Sequence, residues 1–183
     1  LILTDGKPLI WISKAYGTPI VEKISGSDLF PALCSESAVR GLSMFFFGAA
    51  PGVAARAAEN LVCRFPGLNV VGARSPEYGF DRDPNKVEEE IAVINEVDPD
   101  ILIVGLGCPK QEKFMYRNRG RIKARLSLGL GASLDFEAGS VKRAPKWMQD
   151  RGLEWLYRIS RDPGRLAKRY LIDDMRILPL AVR

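Results

Sequence analysis

The sequence contains no histidine at all. That removes Ser-His-Asp triads, Cys-His pairs and most transition-metal sites. A general base in this chain is expected to be a carboxylate. Negative charge that develops in a reaction must be met by Lys, Arg, backbone amides or a hard metal ion. Cysteine is scarce too: Cys34, Cys63 and Cys108 are scattered and odd in number. A disulfide framework or a zinc site does not fit them, and a reducing cytoplasm does. Long apolar runs are missing. None approaches the roughly 18 residues of a membrane helix, and no stretch has the layout of a signal peptide.

What is present suits one globular domain with a sizeable core: 183 residues, 46% hydrophobic and 27% charged. The chain begins at Leu1, without Met and inside an apolar run, and is expected to be a piece with its natural N-terminus upstream. The net charge is +5 and is unevenly spread. From Lys142 to Arg169 there are nine Lys or Arg against three acidic residues. This end should meet something anionic, such as phosphate, nucleic acid or a membrane surface.

From Ser43 onward strand-like and helix-like segments alternate. "SMFFFGA", "LNVVGA", "DILIVGLG" and "ARLSLGLG" read as strands. "VAARAAENLVCRF", "KVEEEIAVINEV" and "KQEKFMYRNRGR" read as the helices between them. This spacing predicts βαβ units and a mostly parallel, Rossmann-like α/β sheet with flanking helices. In such sheets ligands bind beyond the carboxyl ends of the strands. Three glycine-bearing strand ends point there: Gly48, Gly105 with Gly107, and Gly129 with Gly131.

Before Ser43, helices are expected from Pro8 to Tyr16 and over "GSDLFPALCSESAVRG", the second with Ser27 or Asp28 as N-cap. After Ala144 the pattern is all helical, with Leu166, Tyr170, Leu171 and Leu178 forming an amphipathic strip that Pro179 ends. The expected organisation is a core over residues 1–141 and a basic helical appendage over 142–183.

The segment "GLGCPKQEKF" lacks the third glycine of a dinucleotide fingerprint. It reads as a tight βα turn with Pro109 at the first helical position, or as a phosphate or nucleoside site. In the second reading Gln111 and Glu112 bond ligand hydroxyls or a base. A nicotinamide cofactor would also want an acidic residue ending the next strand, and that strand ends in glycine. Asp5, in "LTDGKP", is a turn or cap aspartate, or a general base at a strand end. Asp135, in "GASLDFEAG", is a cap or a ligand contact. Arg158, Arg165 and Lys168 approximate one helical stripe, interrupted at Pro163-Gly164. Trp147, Trp155, Tyr157 and Tyr170 are interleaved with the cations. That suits a membrane interface or, alternatively, single-stranded nucleic acid.

On "TDGKPLIWISKAYG", "SGSDL", "GLGCPKQEKF" and the long stretch "GASLDFEAGSVKRAPKWMQDRGLEWLYRI" running into "RDPGRLAKRY", the chain resembles the WecG/TagA/CpsF family of bacterial glycosyltransferases, glycosyltransferase family 26. The resemblance implies transfer, with inversion and without an obligatory metal or other cofactor, of an N-acetylmannosamine-type sugar. The donor it implies is a UDP-sugar, and the acceptor a polyprenyl-diphosphate-linked sugar. The place it implies is the cytoplasmic membrane's inner face, with an anionic membrane surface and not nucleic acid as partner. Carried onto this chain, it makes Asp5 the catalytic base. It places Gln111 and Asp135 around the UDP and makes Tyr78 a nucleoside contact; Gly48, Gly105, Gly107 and Glu112, read from their places at the strand ends and helix start, are expected in the same nucleotide site. Arg158 and Arg165 would close over the diphosphate. Lys168 stands where the family has a further arginine, which keeps the charge and loses the planar fork. The family also carries a threonine near the acceptor site, in a segment before the "DG" motif. The alternatives are the same scaffold moving glucose or a uronic acid, and a basic nucleic-acid-binding module.

Overall fold

The computed structural model describes residues 3–168 and Ile172. Backbone contacts divide the chain into two compact units: Gly26–Val141, and the residues up to Ser25 together with those from Lys142 onward. By their contacts the residues up to Ser25 group with the C-terminal segment.

The Gly26–Val141 unit is an α/β sheet layered between helices. In chain order it runs α2 (Gly26–Arg40), β1 (Ser43–Gly48), α3 (Val53–Arg64), β2 (Asn69–Arg74), a 3-10 turn (Phe80–Arg82) and α4 (Pro84–Glu96). It continues with β3 (Ile101–Gly105), α5 (Lys110–Asn118), β4 (Leu126–Gly129) and α6 (Ser133–Glu137). All pairings are parallel, in the order β2-β1-β3-β4.

The two central strands are near-continuous apolar runs because both of their faces are covered. Alternation then sorts their side chains between two cores. Met44, Phe46, Ile101 and Ile103 pack with Phe30 and Cys34 of α2, Ala54, Ala57 and Leu61 of α3, and Leu134 of α6. Phe45, Phe47, Leu102 and Val104 pack with Ile91 and Ile94 of α4 and Phe114 of α5. On this second face Phe47 stacks on Phe114 at 5.2 Å, and Phe80 meets both rings edge-on.

The faces follow from the handedness of parallel crossovers. The chain steps one way from β1 to β2 with α3 on the first face. It then reverses and steps the other way through β3 to β4 with α4 and α5 on the second. The reversal falls between β1 and β3, which makes their shared carboxyl end the topological switch point.

At the opposite, amino end of the same two strands, Asp100 joins them. Its carboxylate accepts from the Ser43 N–H and hydroxyl, each at 2.9 Å, and its own N–H donates to the Ser43 hydroxyl oxygen.

The other unit holds α1 (Lys7–Ala15), α7 (Lys146–Asp150), α8 (Glu154–Arg161) and α9 (Pro163–Lys168). Glu154, at the start of α8, draws in Lys23 at 4.0 Å and Arg143 at 3.5 Å. Gly152 sits at φ +73°, and a Cβ there would lie 2.8 Å from the Lys7 side chain. These contacts bring sequence neighbours of the first helix to those of the last ones. No helix among the described residues is long and apolar enough to cross a membrane.

Several local expectations shift. Helix α2 starts at Gly26, so Ser27 and Asp28 lie in its first turn, where the Asp28 carboxylate favours the helix dipole. Pro109 is the N-cap of α5 and not its first helical residue. Tyr170, Leu171, Leu178 and Pro179 of the expected strip lie outside the described residues.

Candidate active site

Gly48 and Gly105 end the two central strands and pair in register across the switch point. Their backbones come so close that a Cβ on Gly48 would lie 2.6 Å from the Gly105 carbonyl, and Gly48 holds φ +119°. A Cβ on Gly105 would lie 2.8 Å from Leu134. Next to Gly48, Ala49 takes φ +60°, uncommon for a residue with a side chain, and its N–H donates to the Gly105 carbonyl at 2.8 Å. The hydroxyl of Ser75, just past β2, lies 3.0 and 2.9 Å from the carbonyls of Gly48 and Ala50. The carboxyl ends of the central strands are thus knit together by main-chain contacts and the Ser75 hydroxyl.

Gly107 follows at φ +78° with open space where its Cβ would be. Its carbonyl accepts from the Gln111 N–H at 2.9 Å, which turns the strand end directly into α5. Gln111 itself is 5% exposed. Its side-chain carbonyl accepts from the Gly131 N–H at 3.1 Å, and its amide donates to the Glu112 carboxylate at 2.9 Å. Gly129 gives it room: a Cβ there would lie 2.9 Å from the Gln111 amide nitrogen. Gln111 therefore ties the end of β4 to the start of α5. Glu112 is exposed in the first turn of α5.

Asp135 lies partly buried within α6, whose N-cap is Ala132, so it is not the helix cap. Its backbone carbonyl accepts from Ser140 and Val141, closing the turn after α6. Tyr78 is 95% exposed, on the loop between β2 and α4. The Lys110 ammonium sits 5.3 Å from its ring centre and 3.1 Å from Asp81. An ion pair of Lys86 with Glu77 at 2.6 Å also braces this loop and holds the Glu77 carboxyl below its usual range.

Asp5 belongs to the other unit. It is exposed in a loop ahead of α1, whose N-cap is Gly6, so it is neither that helix's cap nor at the end of a strand among the described residues. Thr4 beside it accepts from the Ile24 N–H at 2.9 Å. Arg158 lies on α8, half-buried, and Lys168 is exposed at the end of α9. The backbone of Arg165 is part of α9, and its side chain lies outside the described residues.

Within the sheet unit, the structure gathers Gly48, Gly105, Gly107, Gln111 and Glu112 at one edge, with Lys110 linking that edge to Tyr78. Asp5, Arg158 and Lys168 are grouped in the second unit. Sequence reasoning passed over Ser75, Asp81 and Lys110. Lys110 stood inside the motif "GLGCPKQEKF", and its signal was a cation in the first turn of a helix, where the dipole opposes it unless a carboxylate or an anion is near.

A parallel sheet with a glycine-lined switch point at its carboxyl edge defines an α/β protein of the layered, parallel-sheet class. The whole chain, residues 1–183, matches the Glycosyl transferase WecG/TagA/CpsF family, and it belongs to that family. Among its relatives is an N-acetylglucosaminyldiphosphoundecaprenol N-acetyl-beta-D-mannosaminyltransferase of Bacillus spizizenii, strain ATCC 23059 / NRRL B-14472 / W23. It is 36% identical over 164 residues, which is 90% of this chain and 62% of the relative. A protein of the same description from Bacillus subtilis, strain 168, is 33% identical over the same shares. The chain thus spans 62% of the length of either relative.

Proposed function

We propose that this protein is an inverting glycosyltransferase that moves an N-acetylmannosamine-type sugar from a UDP donor to a polyprenyl-diphosphate-linked sugar. The observation that carries the reading is the family match over the whole chain, with relatives named for that sugar and for an acceptor of that kind. The UDP donor is taken from the family resemblance of the motifs. It is supported by the glycine-lined edge at the switch point, where a nucleotide can approach main chain.

In this reading Gly48, Gly105 and Gly107 let the nucleotide lie close to the backbone. Asp135 and Glu112 offer carboxylates to ribose or base, and Tyr78 offers a ring. Gln111 fixes the edge of the site through Gly131. Asp5 takes the proton from the acceptor hydroxyl, whose oxygen attacks the anomeric carbon from the face opposite the UDP. The bond from that carbon to the diphosphate oxygen breaks, and UDP leaves with the electron pair. Arg158, Arg165 and Lys168 meet the charge on the leaving diphosphate. The absence of histidine supports a carboxylate as the base, and the other roles follow from the family resemblance. The reading includes turnover without a divalent metal and work at the inner face of the cytoplasmic membrane.

Calorimetry with UDP, NAD and single-stranded DNA tests the binding half of the proposal. UDP binding with neither of the others is the expected result. DNA binding that falls steeply with salt, without UDP binding, would overturn it in favour of a nucleic-acid module.

A further inference from the structure

The face of α5 that turns away from β4 lines a groove between α4 and α5, about 550 Å³ in volume. Its apolar lining includes Val87 and Phe114. Around it stand five cations, Arg82, Lys110, Lys113, Arg117 and Arg121, against two carboxylates, Asp81 and Glu88. Both carboxylates are already neutralised: Asp81 pairs with Lys110 at 3.1 Å, and Glu88 pairs with Arg121. Arg82, Lys113 and Arg117 have no ion pair among the described residues. Lys113 and Arg117 are four apart on α5, so they project from one face and repel each other. Three uncompensated cations around one concave, partly apolar surface favour an anion that brings its own charge, and the fork of an arginine suits phosphate oxygens. The volume is that of an ordinary small-ligand site.

We propose that this groove binds a phosphate-bearing molecule, held by Arg82, Lys113 and Arg117. None of the three is assigned to the nucleotide edge. Gln111 and Met115, the α5 side chains beside Gly129, lie on the face of the helix that meets β4. These three cations are thus distinct from the residues proposed for sugar transfer, while the groove meets the nucleotide edge at Lys110. The shared chemistry is the phosphate group, supplied either by a free diphosphate or by a lipid headgroup.

The test titrates the protein with inorganic diphosphate, followed by amide chemical shifts. It also measures co-sedimentation with phosphatidylcholine vesicles with and without phosphatidylglycerol. The double variant Lys113→Gln/Arg117→Gln is compared with Arg56→Gln/Arg64→Gln, which removes the same charge from α3 on the opposite face of the sheet. Shifts at residues 82, 113 and 117 on adding diphosphate, weakened about tenfold in the α5 variant and little in the α3 variant, are expected if a free phosphate compound is the ligand. The same contrast seen only with phosphatidylglycerol vesicles identifies a headgroup, and it too supports the site. No binding in either arm, or equal loss in the two variants, overturns it. Circular dichroism and amide spectra of both variants establish that they are folded before binding is compared.

Discussion

Gln111, on α5, reaches across to Gly131 beyond the end of β4, and its amide also donates to the neighbouring Glu112. Replacing it by Ala strands the Gly131 N–H and opens space beside Gly129. Gln111→Ala should lower the unfolding free energy by about 1–3 kcal/mol, measured by chemical denaturation, and weaken UDP in the same variant. A loss of UDP affinity with stability unchanged would show instead that the side chain serves the ligand alone. Cys34 makes a second residue-level case. Burial, and then the charge of Glu137, push its thiol up to about 12, against a smaller opposing effect of Arg64. At mildly alkaline pH, alkylation of the native protein should modify the exposed Cys63 and Cys108 and spare Cys34, giving two adducts by mass spectrometry. The sign of the linkage follows. The fold favours the neutral thiol, so this contribution to stability is whole below the ordinary thiol value of 9.0 and is lost as pH rises toward about 12.

At the scale of elements, the carboxyl ends of β1 and β3 leave no room for side chains. Gly48→Ala meets both the Gly105 main chain and a left-handed φ. It should cost about 1–3 kcal/mol from the backbone strain alone and lower the melting temperature accordingly. A neutral substitution would mean that the strand ends stand further apart. At the other end of the same strands, the hydrogen bonds from Ser43, and then Arg125, hold the Asp100 carboxyl below its ordinary value. A carboxylate lowered in the fold stabilises above its ordinary value, and that contribution is lost as pH falls through the folded one. Wild type should therefore lose more melting temperature than Asp100→Asn between about pH 5 and pH 3.

These elements also show what was legible. The central strands announced themselves as short apolar runs ending in glycine, because burial on both faces forces that composition. The cap of α5 slipped by one residue: the Pro109 carbonyl accepts from the Lys113 N–H, which makes Pro109 the cap. Gln111 itself read as a ligand contact. Its engagement with Gly131 depends on a neighbouring strand end, which local pattern does not contain.

At the scale of the whole molecule, the grouping of residues 1–25 with the C-terminal helices was beyond the reach of sequence pattern. It rests on contacts such as those of Lys23 and Arg143 with Glu154, which no periodicity records. The grouping has a functional consequence. Asp5, proposed as the base, and Arg158, proposed to meet the diphosphate, belong to one unit, and the proposed nucleotide edge belongs to the other. Substitutions in the two units should then separate in their effects: Arg158→Ala should lower turnover more than it lowers the affinity for UDP.

The same logic gives the most direct test of sugar transfer itself. Wild-type protein and Asp5→Asn are each given UDP-N-acetylmannosamine and an N-acetylglucosaminyl diphospholipid, with EDTA present, and the disaccharide-lipid is quantified by mass spectrometry. The account predicts product with wild type. For Asp5→Asn it predicts a rate lower by about 10²–10⁴-fold, with UDP affinity retained. Absence of product from wild type under EDTA with and without added magnesium, or a normal rate in Asp5→Asn, would contradict it.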